Sequence, residues 1–302
     1  MSPGTAATDS PPTTADRLAV QAALGRICSL LLECVPGPVA EAIRYSLLGE
    51  GKRLRAILLM AAYRASGGIG DPTDLAAAIE VVHAYSLVHD DLPCMDDDDV
   101  RRGRPTVHRV YGVPVATAAG LAMVPLAARC AAAAVQRLGL PAEVGGRIIR
   151  ELMKASGATG MIGGQLLDLE GEGRDLSLEE LERIHRAKTG ALMTASVRLG
   201  GMAAMASEPV LVALGEYGAA VGLAFQIADD VLDVTSTSDQ LGKTAGRDLA
   251  LHKSTYPALM GVKAAAARAD DLIDEACAAL QRVGMLTPAL EGLARFTVAR
   301  RH

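Results

Sequence analysis

A chain of 302 residues, half of them hydrophobic, carries enough apolar side chain to bury one large core or two ordinary ones. Its net charge of −5, with both signs interspersed, makes no basic field of the kind that attracts nucleic acid, which argues against a DNA or RNA partner. Five cysteines, Cys28, Cys34, Cys94, Cys130 and Cys277, are odd in number and form no CxxC pair, so scattered thiols in a reducing, cytoplasmic compartment fit better than a disulfide frame or a zinc site.

The first fourteen residues, MSPGTAATDSPPTT, have neither a basic start nor an apolar centre, and read as a disordered tail rather than a signal peptide. From residue 15 to 302 the pattern predicts a single all-helical domain. Apolar residues recur at three and four in ADRLAVQAALGRICSLLLECV (15–35), DLAAAIEVVHAYSLVHDD (74–91), SLEELERIHRAKTGALMTASVRLGGMAAMA (177–206), LVALGEYGAAVGLAFQIADDVLDV (211–234) and ADDLIDEACAALQRVG (269–284). No β-branched alternation bounded by hairpin turns interrupts them. The breakers VPGP (35–38), GGIGDP (67–72), LGLP (138–141) and EGEGRD (170–175) are short connections between long helices, and no shift of composition marks a domain boundary. Val110 to Ala128 has no formal charge and nearly the length of a membrane span, but Pro114, Thr117, Gly120 and Pro125 suit a helix buried in protein, so no integral membrane segment is expected.

Six aspartates fall within ten positions in HDDLPCMDDDDVRRGRPTVH (89–108). The helix pattern that begins at Asp74 runs into Asp90 and Asp91, and Pro93 ends it, leaving Asp96 to Asp99 at its mouth. The C-terminal end of a helix already carries partial negative charge, so this many carboxylates there call for a cation or for solvent screening. A second cluster, Gln226, Asp229, Asp230 and Asp233, lies at i, i+3, i+4 and i+7 on one face of an otherwise apolar helix. Unpaired burial of three carboxylates would be costly, which points to facing arginines or a divalent ion. Mg²⁺ suits the donors, since it takes a few carboxylate oxygens and commonly bridges to phosphate oxygens.

Cations stand where a diphosphate would need them: Lys52, Arg53 and Arg55, then Arg101, Arg102 and Arg104, then Lys188, Lys243, Arg247 and Lys253. The Gly-Lys-Thr at 242–244 lacks the upstream glycine of a phosphate loop, so ATP hydrolysis gains no support. His83 lies seven residues before Asp90, two turns along roughly the same face, which favours a role in the site.

HDDLPCMDDDDVRRGRPT resembles the first aspartate-rich motif, DDxxxxD, of the short-chain trans-isoprenyl diphosphate synthases of bacterial and plastid type, through Asp90, Asp91 and Asp96. DDVLD resembles the second motif through Asp229, Asp230 and Asp233, and GMIGGQLLDLE, IHRAKTGAL and LGKTAGRDLALHKSTYP stand in the family's order. The resemblance runs from RYSLLGEGKRLRAIL to LARFTVARR. It implies an isoprenoid synthase fold of antiparallel helices around a deep central cavity, usually as a homodimer. It also implies a reaction: an allylic diphosphate, dimethylallyl or geranyl, ionises with about three Mg²⁺ ions on its leaving group, isopentenyl diphosphate attacks the cation, and the released diphosphate takes the proton.

By the same resemblance Asp90, Asp91 and Asp96 hold metal on one wall, and Asp229, with Asp230 and Asp233, on the other. Arg101, Lys188 and Lys243 hold the allylic diphosphate, with Lys253 a further substrate-binding cation. Lys52, Arg55, His83 and Arg102 bind isopentenyl diphosphate, and Thr189 and Gln226 stand near the carbocation. The chain departs from the family at Glu50, where a glycine is usual, at Ala56, where a proline is usual, and at Leu121, where an aspartate is common. Tyr85, five residues before Asp90, and Ser86 beside it are placed to limit product length; the aromatic resembles the farnesyl (C15) pattern. Ala118, Ala119 and Ala122 keep geranylgeranyl diphosphate (C20) open. A terpene cyclase, which would carry a different second motif, and a non-catalytic partner subunit, which would have lost an acidic cluster, are the weaker alternatives.

Overall fold

The computed structural model describes residues 14–31, 35, 37–235 and 253–299. Helices α1 (Thr14–Leu31), α2 (Gly37–Leu47), α3 (Leu54–Ala65) and α4 (Thr73–Asp90) are followed by a minimal hairpin, β1 (Val100–Arg101) and β2 (Arg104–Pro105). Then come α5 (Val107–Tyr111), α6 (Val113–Arg137), α7 (Ala142–Ser156), α8 (Met161–Gly171) and α9 (Leu178–His185). A π-helical turn, Arg186–Gly190, leads into α10 (Ala191–Ala203), and α11 (Glu208–Thr235), α12 (Tyr256–Met260), α13 (Val262–Arg282) and α14 (Pro288–Ala299) complete the described chain. The all-helical expectation stands, with the hairpin as an addition. Its strands are two residues each, too short to alternate, and Arg102 and Gly103 between them both have positive φ, the backbone of a tight hairpin turn.

Helix α4 is buried over most of its length, with Leu75, Ile79, Val81 and Val82 fully buried, so it runs through the middle of the bundle. Its first turn is anchored at Asp74, which pairs with Arg26 of α1 at 2.8 Å and Arg137 of α6 at 3.1 Å, an acidic residue at the favourable end of the helix dipole. Helices α3 and α10 pack beside it, and α11 packs against α10 and α13. Both α6 and α11 are long and apolar enough to cross a membrane by length alone, yet each buries half or more of that apolar stretch inside the protein. Pro114 sits in the first turn of α6, where no N–H is needed, and Pro125 lies within the helix. Leu121 faces outward, 63% exposed, so the aspartate usual there has no helix partner inside this chain to lose.

The entrance to α3 is held by a buried ion pair. Arg53, with left-handed φ of 52°, donates to Glu80 of α4 at 3.4 Å, to Gln21 of α1 at 2.7 Å, and to the carbonyls of Leu47 and Gly49 at 2.8 and 2.7 Å. Glu80 also accepts the N–H of Ala56 at 3.2 Å, a bond that the family's usual proline could not make. One arginine thereby closes the loop that carries Lys52. Glu80→Leu, which strands the buried guanidinium, is expected to cost about 3–5 kcal/mol in urea unfolding. Glu80→Gln loses the charge but keeps one acceptor oxygen and should cost less; losses equal to those of Glu80→Leu would show that the charge, not the remaining hydrogen bond, is the stabilising term.

Candidate active site

Along α4 the residues Glu80, His83, Leu87 and Asp90 recur at three and four positions and all line one cavity of about 930 Å³. The other walls come from the loop at 48–53, the hairpin, α8, the π-helical turn, α11 and the segment 253–255. Lys52, Arg55, His83, Ser86, Asp90, Asp96, Arg101, Arg102, Lys188, Thr189, Gln226, Asp229, Asp230 and Lys253 are all brought to it. Asp91, Asp233 and Tyr85 are not among its lining residues, and Lys243 lies outside the described residues.

At one end the cavity is basic. The Arg55 guanidinium stands 3.4 Å from Nε2 of His83, and Arg102, turned back by the hairpin, donates to the Glu50 carbonyl at 2.8 Å. Burial, with Arg55, Arg102 and Arg101 nearby, pushes the His83 pKa well below its usual value, so the ring is neutral and Nε2 accepts from Arg55. Glu50 adds a carboxylate at the rim of this basic end.

At the other end the carboxylates are tied down one by one. The loop after α4 folds back on itself, Asp96 N–H donating to the Asp90 carbonyl at 2.8 Å and Asp98 N–H to that of Asp91 at 3.3 Å. Arg101 reaches from β1 to Asp91 at 2.6 Å and Asp98 at 3.3 Å. Burial raises both Asp90 and Asp91 to about 6; Lys188 opposes it at Asp90 and Arg101 at Asp91. Asp91, nearly fully buried under Arg101, therefore supports the loop from behind while Asp90 and Asp96 face the cavity. The second motif divides similarly. Asp229 faces the cavity, Asp230 accepts from Gln226 at 3.2 Å and from the Tyr256 N–H at 3.2 Å, and Asp233 is buried outside it.

Asp168 of α8 was not foreseen from the sequence. It accepts from Lys188 at 2.7 Å and from Lys253 at 3.0 Å, and Lys253 lies 3.2 Å from Glu172 and 3.8 Å from Asp96. Burial would raise the Asp168 pKa, but the two lysines outweigh it and hold the carboxyl below its usual range. In GMIGGQLLDLE the carboxylate of Asp168 stands close to Glu170 and Glu172, and nothing in their spacing distinguishes it from a surface residue.

The π-helical turn widens the helix enough to present Lys188 and Thr189 together to the cavity. Thr189 donates to Gln226 at 3.0 Å. Two glycines allow the turn to be clamped: a Cβ on Gly164 of α8 would lie 2.1 Å from the Lys188 nitrogen, and one on Gly222 of α11 would lie 2.8 Å from the Gly190 Cα. Neither helix could approach so closely with a side chain there.

The donors fit a hard cation: carboxylate oxygens from α4, its following loop, α8 and α11, with no sulfur or imidazole among them. Among the described residues no three His, Cys, Asp or Glu side chains come together as a group that could hold a metal ion by themselves.

Residues 37–287 match the family model described as polyprenyl synthetase. The chain belongs to the polyprenyl synthetase family. Membership makes it a trans-prenyltransferase with the all-α isoprenoid synthase fold. It is 47% identical to the farnesyl diphosphate synthase of Escherichia coli over 87% of this chain and 89% of that one. It is 45% identical to the large subunit 1 of the heterodimeric chloroplastic geranylgeranyl pyrophosphate synthase of Arabidopsis thaliana, over 80% of this chain and 66% of that one. The crystal structure of the geranylgeranyl pyrophosphate synthetase of Pyrococcus horikoshii matches with a TM-score of 0.82 and 33% identity, covering 95% of this chain and 96% of that one.

His185, packed beneath the site with its ring 5.7 Å from that of Tyr256, has its pKa lowered by burial to about 4. As pH falls from 6.5 towards 4 the unfolded chain takes up a proton that the folded one refuses, so His185 makes the fold less stable in acid. Asp90 and Asp91 act in the opposite sense between about 4 and 6, because the folded chain keeps protons that the unfolded chain has released. His185→Gln removes only the first contribution. Relative to the parent, the metal-free variant should therefore gain about 3 kcal/mol of unfolding free energy between pH 7 and pH 4; parallel curves would contradict a buried neutral His185.

Proposed function

We propose that the chain condenses isopentenyl diphosphate head to tail with dimethylallyl or geranyl diphosphate and releases mainly farnesyl diphosphate. The observation that carries this reading is one cavity with two kinds of anion site. A predominantly basic end, Lys52, Arg55, His83 and Arg102 with Glu50 at its rim, suits a diphosphate that remains attached. An end with Asp90, Asp96, Asp168 and Asp229 interleaved with Arg101, Lys188 and Lys253 suits one that leaves.

Mg²⁺, about three ions held by Asp90, Asp96 and Asp229 with the diphosphate, would neutralise charge on the leaving group. Arg101, Lys188 and Lys253 are placed to hold the diphosphate as the C1–O bond breaks. Thr189 and Gln226, already bonded to one another, offer uncharged oxygens to the allylic carbon. Neutral His83 leaves the isopentenyl end to the charges of Lys52, Arg55 and Arg102, and the departing diphosphate is the base that takes the final proton.

Ser86 lines the cavity and Tyr85 stands behind it, its ring 4.8 Å from that of His89, which in turn meets the Thr117 carbonyl of α6 at 3.2 Å. Tyr85 and His89, meeting edge to face on the side of α4 that faces α6, support a C15 limit. The outer face of α6, with Val113 and Leu121 exposed, supports a homodimer. The free thiols Cys28, Cys94, Cys130 and Cys277, three of them buried, support a cytoplasmic enzyme.

Purified protein incubated with Mg²⁺, labelled isopentenyl diphosphate and each allylic starter should yield a C15 alcohol after dephosphorylation, and Tyr85→Ala should shift the product towards C20. A parent product of C20 would move the limit away from Tyr85. Asp90→Ala and Asp229→Ala should each lower kcat by orders of magnitude with the fold intact; near-parental turnover in both would refute the assignment.

A further inference from the structure

Helix α8 turns a graded face to the cavity. Met161, Gln165 and Asp168, spaced four and three apart, follow one another along it, and Glu172 caps its C-terminal end. Asp168 and Glu172 share the ammonium of Lys253, and Asp168 that of Lys188 as well, so this end is where a leaving diphosphate meets charge. Met161, buried and apolar, marks the end suited to hydrocarbon. Gln165 lies between them, three residues or about 4.5 Å of helix rise from Asp168. A prenyl diphosphate held at the lysines therefore brings its first carbons to the level of Gln165.

Gln165 is 8% exposed, lines the cavity, and among the described residues neither its Oε1 nor its Nε2 has a hydrogen-bond partner. The two other glutamines that line the cavity are satisfied within the protein: Gln226 by Thr189 and Asp230, Gln21 by Arg53 and the Leu48 carbonyl. A buried amide with both ends unpaired costs free energy that methionine or leucine of similar volume would not. Its presence makes sense if substrate supplies the partner.

Resting on the prenyl-transfer reading, we propose that Gln165 is a further catalytic residue whose side-chain amide faces the allylic carbon and stabilises positive charge there. When the C1–O bond breaks, its electron pair leaves on the diphosphate oxygen and positive charge spreads over C1 and C3 of the allyl group. The Gln165 carbonyl dipole, uncharged and fixed in place, faces that charge without competing for the Mg²⁺ held by the carboxylates. The π pair of isopentenyl diphosphate then forms the new bond to C1, and the proton lost from its C2 goes to the departed diphosphate.

The test compares the full-length parent with Gln165→Met and Gln165→Leu, using Mg²⁺, isopentenyl diphosphate and geranyl diphosphate. Both variants should melt at or above the parental temperature, because an unsatisfied amide has been removed. Their kcat should fall roughly tenfold to a hundredfold while KM for isopentenyl diphosphate changes less than about twofold. An allylic substrate carrying fluorine at C2, which withdraws electron density from the cation, should slow the variants by a larger factor than it slows the parent. A condensing parent with variants of parental kcat and unchanged fluorine sensitivity would overturn the role of Gln165 and leave prenyl transfer standing. Variants that melt well below the parent would overturn it too, by showing the amide to be structural. A folded parent that condenses nothing would overturn the reading and the inference together.

Discussion

Carboxylates placed at the C-terminal end of a buried helix repel one another and the helix dipole, and the fold around α4 is organised by the need to answer that charge. Arg101 reaches back from the hairpin to Asp91 and Asp98, Lys188 arrives on a π-helical turn, and Lys253 comes in from the segment before α12. Each cation belongs to a different element, so the site comes together only when distant parts of the chain meet. The hairpin, only two residues deep, is held in place largely by these charges and by Thr106, which donates to the Asp98 carbonyl at 2.7 Å. Desolvation still keeps Asp90 and Asp91 near 6, against the pull of Lys188 on the first and Arg101 on the second.

Both aspartate motifs were legible because charge on an apolar helix is costly and therefore conspicuous. What each aspartate does was less legible, since spacing alone could not say that Asp91 pairs with Arg101, that Asp230 caps the Tyr256 N–H, or that Asp233 turns away from the cavity. Asp168 and Gln165 escaped notice because their meaning comes from what stands opposite, Lys188 and Lys253 for the one and the cavity for the other. The π-helical turn left no mark either: the same residues continue an α-helical pattern, and only the glycines at 164 and 222 that let neighbours close on it hint at an unusual approach. Ala56, read as a departure, proved to supply a hydrogen bond to Glu80.

Buried polar groups in this protein follow two patterns. Arg53 and Glu80 bond to one another and to Gln21 of α1, the carbonyls of Leu47 and Gly49 and the N–H of Ala56, and they hold the loop that carries Lys52. Gln165 and the carboxylates that line the cavity instead stand beside open volume, and the amide of Gln165 is left without a partner among the described residues. A protein can tolerate the second pattern when a ligand, rather than the fold, completes the bonding.

Helix α4 carries His83 at the basic end and Asp90 at the acidic end of one face, about 10.5 Å apart along its axis. A continuous helix cannot stretch, so it acts as a ruler that fixes the separation of the two anion sites whatever the loops do. Tyr85 and His89 stand on another side of the same rod, towards α6. Substitutions there would change how much chain fits without altering the distance between the two heads, so the length of the product and the chemistry that makes it can vary independently.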